Sequence, residues 1–111
     1  MESMGIYIAN VPFDDVNDSK VRPALVIKVG QEQVTVFRVT SQYQKKSVQI
    51  EQEYYPIQEW EEAGLKKKPY VDTHKLYRLS REKIFSRKPI GKLTSFDQMG
   101  LFDFIKNKTN Y

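Results

Sequence analysis

Pro23, followed by Ala24-Leu25-Val26-Ile27, constrains what this chain can fold into more than any other stretch. Proline has no N–H to give to a ladder and is confined to strand starts and edges, while a β-branched apolar run behind it suits a buried strand. A strand is therefore expected to begin at Pro23 and run to Val29, apolar except at Lys28. Arg22 stands where the preceding loop meets that strand. A guanidinium there is always charged, offers a planar fork of donors that fits phosphate oxygens, and has a rigid element behind it. The same arginine would also serve in a surface ion pair with one of the loop aspartates.

The flanking segments share this strand-forming character. Residues 5–11 alternate, with Ile6 and Ile8 on one face and Tyr7, Ala9 and Val11 on the other, and Pro12 ends the run. Residues 30–33 read as a hairpin turn, residues 34–39 as the next strand, and residues 47–51 and 70–79 as later ones. The loop after Pro12 is acidic. Its Asp15, Asn17 and Ser19 have the alternate spacing of a calcium loop, but Lys20 stands where such a loop needs glycine and Val26 where it needs a bidentate glutamate. Calcium is thereby excluded. Thr40-Ser41-Gln42, ahead of Lys45 and Lys46, closes a strand with groups that either cap a turn or contact a phosphate.

Between the later strands, Pro56 suits the first turn of a short helix and Gly64 its stop, with Ile57 and Trp60 packing it on the sheet. Lys66-Lys67-Lys68 is either a solvated run or a contact for RNA backbone. His74 is the sole histidine, which excludes a ribonuclease built on two histidines as base and acid. Residues 89–93 read as a last strand region. Ser95 and Gln98 then have capping-box spacing at the head of a terminal helix, whose Met99, Leu101, Phe102, Phe104 and Ile105 can bury against the sheet or another subunit.

At 111 residues, with 40% apolar content, the chain is expected to form one domain, residues 1–111. It has no cysteine, so disulfides and thiolate metal sites are excluded, and no leader or membrane span is expected. A soluble cytoplasmic protein is the reading that follows. The net charge of +4 admits a polyanion as partner without selecting one.

Taken together, Gly5-Ile6-Tyr7, Pro12-Phe13, Asp15, Lys20-Val21-Arg22-Pro23-Ala24-Leu25-Val26-Ile27 and Val39-Thr40-Ser41 resemble the PemK/MazF family of type II toxin-antitoxin toxins. Ala63-Gly64-Leu65, Arg78-Leu79-Ser80 and Ile90-Gly91-Lys92-Leu93-Thr94 extend the resemblance over nearly the whole chain. It implies a mainly β (α+β) fold: an SH3-like small β-barrel of the PemK/MazF/CcdB type with a short insert helix and a C-terminal helix. It also implies a homodimer that cuts single-stranded RNA as a sequence-specific, metal-independent endoribonuclease, needs no cofactor, and is neutralised by a cognate antitoxin. The family's catalytic arginine and threonine fall on Arg22 and Thr40. The acidic residue that some members use in the first loop is matched only approximately, by Asn17 with Asp18 beside it, so Asp18 is the candidate for proton transfer. Lys20, Ser41, Gln42, Lys45 and Lys46 are the candidate RNA contacts. Two other functions suit the same fold, a CcdB-like gyrase inhibitor and a catalytically silent RNA- or peptide-binding module. Neither requires Arg22 together with Thr40.

Overall fold

Alternating apolar side chains over the first forty residues build an antiparallel sheet, seen here in a computed structural model that describes residues 3–12, 19–40 and 53–109. Its strands are β1 (Gly5–Pro12), β2 (Ser19–Val29), β3 (Gln33–Thr40), β4 (Tyr54–Pro56), β5 (Tyr70–Ser80) and β6 (Gly91–Lys92). Among the described residues there are also two helices, α1 (Arg81–Phe85) and α2 (Ser95–Thr109). The strands are hydrogen-bonded in the order β4-β5-β3-β2-β1-β6. Among the described residues β4 and β6 are the two edges, so the expected barrel is a sheet that does not close on itself. The expected strand at residues 47–51 lies outside the described residues.

Each face of the sheet has its own apolar cluster, because successive side chains point to opposite sides. Ile6, Leu25, Phe37, Val39 and Val71 face one way and are covered by Leu93 and by Leu101 of α2. Tyr7, Ala24, Val26, Val34 and Val36 face the other way and meet Ile84 of α1. A bulge keeps both sets inward on β2: Val26 pairs with Val36 but Lys28 with Thr35, leaving Ile27 as the extra residue. Ile27 then packs on the first cluster, while Val26 and Val29 both serve the second. Lys28 interrupts the apolar run because it projects to solvent there.

β2 starts at Ser19, four residues before the expected boundary, because residues 19–23 pair with β1 from Pro12↔Ser19 to Ile8↔Pro23. Pro23 is accommodated inside the strand because the ladder on its other side, to β3, begins only at Ala24. The insert helix is also recast. Pro56 belongs to β4, opposite Tyr70, and residues 58–64 form hydrogen-bonded turns that end at Gly64, whose φ of +90° suits glycine. Trp60 and Ile57 do pack on the first cluster. The segment after Ser80 folds as the short helix α1, and buried Ile84 anchors it.

The cap of α2 lies one residue earlier than its spacing suggested. Thr94 Oγ1 accepts from the Asp97 N–H at 3.4 Å, while Gln98 Nε2 reaches back to the Leu93 carbonyl at 2.8 Å. Asp97 itself is fully buried, and its carboxylate accepts from the Tyr55 hydroxyl (2.7 Å), the Gln58 N–H (2.9 Å) and the Glu59 N–H (2.8 Å). One side chain thus binds the helix head, β4 and the start of the 58–64 turns. Burial, then the hydrogen bond to Asp97 and its negative charge, push the Tyr55 phenol well above its ordinary titration range. Gly100 completes this junction. A Cβ at that position would collide with the Tyr55 hydroxyl, which explains a glycine inside a helix that would otherwise favour alanine.

Candidate active site

Strand register gathers polar side chains at the end of the sheet face that carries the second apolar cluster. Across that face, Tyr7, Ala24, Arg38, Asp72 and Tyr54 are successive cross-strand partners and make one row. In the next row, two residues along, Ala9 is paired with Arg22 and Thr40 with Tyr70, which is paired in turn with Pro56. The β2–β3 ladder ends at Ala24 and Arg38; carried two residues further, its register sets Arg22 opposite Thr40. By alternation their side chains share a face. Both are half-buried, and the Arg22 Nε is shielded from solvent.

The row behind them is held by an ion pair. Arg38 Nη2 donates to Asp72 Oδ2 at 2.8 Å, and the two side chains are only 20% and 13% exposed. The other oxygen of Asp72 accepts the His74 N–H at 2.9 Å. That second bond depends on a bulge in β5, where Phe37 pairs with Leu76 but Arg38 with Asp72, so that residues 73–75 loop out of the ladder. A carboxylate fixed by its own backbone fixes the arginine in turn. A shielded, charge-assisted pair of this kind is worth more than an exposed one. The face therefore presents two guanidiniums in adjacent rows, with one carboxylate beside the rear one.

A profile of PemK-like, MazF-like toxins of type II toxin-antitoxin systems matches residues 2–100. The chain belongs to this family. Among solved structures the toxin is similar to Mycobacterium tuberculosis toxin MazF-mt6, with a TM-score of 0.67, 20% identity and 93% of each chain covered. At that identity the likeness is one of fold. No curated protein sequence matches the toxin. Membership implies a cognate antitoxin.

Of the residues singled out in the sequence, Arg22 and Thr40 lie on neighbouring strands at one end of the toxin's sheet, two residues beyond the last pair of the β2–β3 ladder. Lys20 lies in β2 opposite Val11, with its side chain outside the described residues. Asp18, Ser41, Gln42, Lys45 and Lys46 also lie outside them. His74 is exposed on the β5 bulge, and Lys66, Lys67 and Lys68 are exposed on their turn. Arg38, Asp72 and Tyr70 were not foreseen. Arg38 interrupts an apolar alternation and is a visible oddity, but its partner lies 34 residues away across a bulge. Among the described residues no three His, Asp or Glu side chains cluster as a metal site, and no helix is long and apolar enough to cross a membrane.

Proposed function

We propose that the toxin is a cytoplasmic endoribonuclease that cuts single-stranded RNA at preferred sequences without a metal ion. What supports this reading is the β2–β3 register, which ends at Ala24 and Arg38 and, extended by two residues, sets Arg22 beside Thr40, the two positions where the resemblance puts the catalytic pair. The RNA's own 2′-hydroxyl attacks the adjacent phosphorus, and the 5′-oxygen of the next nucleotide leaves. The products are a 2′,3′-cyclic phosphate and a 5′-hydroxyl. Charge builds on the phosphoryl oxygens as the attack proceeds, and a guanidinium already in place opposes it without reorganising. Cross-strand pairing of Arg22 with Ala9 supplies that preorganisation. Thr40 adds a hydroxyl donor, and Arg38, held by Asp72, adds positive potential from the row behind. Asp18 is the candidate to receive the 2′ proton.

Partners follow from the same reading. Phe96, Met99 and Phe102 stand exposed on α2, apolar surface of the kind that a second copy or an antitoxin covers. A homodimer inhibited by its antitoxin accounts for that surface.

The experiment is to incubate purified protein with a long defined RNA, with and without EDTA, and to map both the cut positions and the end chemistry. Arg22→Ala and Thr40→Val are each expected to lower the cleavage rate by about 10²–10³-fold, the range seen when one donor to a developing oxyanion is removed. Cleavage that is abolished by EDTA, or that survives Arg22→Ala undiminished, refutes the mechanism. Loss of gyrase supercoiling with intact RNA would refute the function.

A further inference from the structure

The face that carries Arg22 continues past Ala9 into a cleft of about 390 Å³ between β1 and α1, which the mechanism above does not use. That is a volume typical of small-ligand sites. Its inner walls are apolar, Ala9, Val21 and Ile84 among them, and its polar lining includes Arg78, Lys83 and Arg87. Among the described residues no carboxylate lines it. Glu82, the acidic neighbour of Lys83, lines a different depression together with Arg81 and Phe85. Three cations lining one cleft suit a phosphate, and the apolar walls beside them suit a ribose and base.

Packing gives these cations fixed places. Ile84 is buried in the second cluster and Phe85 makes an edge-to-face contact with Tyr7, ring centroids 5.1 Å apart. The helix that carries Lys83 is thus seated against β1 by the two residues that follow it. The link to the reaction centre is equally local. Ala9 is the cross-strand partner of Arg22 and Val21 is its chain neighbour, so two residues of the cleft wall adjoin the residue that carries the proposed chemistry.

We infer that this cleft is the subsite for the nucleotide flanking the cut, with its phosphate held by Arg78, Lys83 and Arg87. The inference rests on the RNA-cleaving function proposed above. An acidic peptide would also satisfy the three cations, but continuity with Arg22 favours the strand being cut. A nucleotide leaving the reaction centre towards β1 enters the cleft directly.

The test uses the full chain and an RNA oligonucleotide carrying a 2′-deoxy substitution at the mapped cut, so that binding is read without cleavage. The variant is Lys83→Ala combined with Arg87→Ala; both side chains are exposed, so folding is expected to persist and is checked by Trp60 fluorescence. The slope of log affinity against log salt is expected to fall by about 0.7, the contribution of one lost phosphate contact on a single strand. Removing one flanking nucleotide from the oligonucleotide should weaken binding to the native protein and leave the double variant nearly indifferent. A double variant with the native slope and the native length dependence overturns the subsite, even where the native protein cuts RNA. A double variant that loses only an acidic antitoxin peptide, with RNA binding intact, assigns the cleft to that partner and also overturns it. Native protein that never cuts unmodified RNA, yet binds a fully 2′-deoxy oligonucleotide with a salt slope that falls in the double variant, keeps the cleft as a nucleotide site and refutes the reaction instead.

Discussion

Removing the carboxylate of Asp97 should loosen the toxin on the side of the sheet away from Arg22. In Asp97→Ala three donors lose their acceptor: the Tyr55 hydroxyl and the N–H groups of Gln58 and Glu59. A buried donor left unsatisfied costs about 1–3 kcal/mol, and bonds to a charged acceptor lie at the upper end. Relief of the carboxylate's own desolvation offsets part of the sum, which brings the expected loss to about 3 kcal/mol. At this chain length that corresponds to roughly 12 °C in melting temperature. Asp97→Asn keeps one carbonyl oxygen and turns an amide towards one former partner, so it should lose about half as much. Urea denaturation read by the fluorescence of Trp60, the chain's single tryptophan and a neighbour of the first cluster, measures both. Asp103→Ala, exposed on the same helix, is the control and should fall within about 0.5 kcal/mol of native. A loss below about 1 kcal/mol for Asp97→Ala would show that the junction at α2 is not held by this carboxylate.

Other outcomes follow from the same geometry. Gly100→Ala should destabilise, although alanine is the better helix former, because its Cβ meets the Tyr55 hydroxyl; combining it with Tyr55→Phe should recover part of the loss in a thermal melt. Tyr55 holds its proton more tightly when folded, so its contribution is fully present below about pH 10, where an unfolded phenol titrates, and is lost as pH rises beyond that. Native protein should therefore lose stability above that pH by at most about 1.4 kcal/mol per unit more than Tyr55→Phe does, and parallel curves would contradict the assignment. Asp72→Asn should free Arg38 from a fixed position and slow RNA cleavage by about tenfold or less, with cut positions unchanged. A complete loss of activity would mean that Asp72 touches the substrate itself.

The first three strands were readable because their partners are near in sequence and their alternation is regular. Arg22 and Thr40 could be singled out for the same reason, together with the resemblance. What could not be read depends on contacts made across long separations. Pro56 looks like a helix start until Tyr70 is placed beside it in β4, and Ser95 looks like the cap until Thr94 and Gln98 are seen to share the task with Leu93. Asp97 resembles any acidic residue in a first helical turn, and nothing local marks it as the fully buried hub of three segments. Arg38 and Asp72 join only because residues 73–75 bulge out, and β-strand periodicity carries no sign of a three-residue slip.

The row Ala9, Arg22, Thr40, Tyr70 and Pro56 draws on β1, β2, β3, β5 and β4, so its members are spread over most of the chain while lying side by side in space. No N-terminal fragment shorter than about 70 residues can assemble it, and β5 itself is seated by α1 and the strands before it. During synthesis the site cannot exist until most of the polypeptide has left the ribosome. Under the proposed RNA-cleaving activity, the message being translated is out of reach of its own nascent product until β5 has emerged.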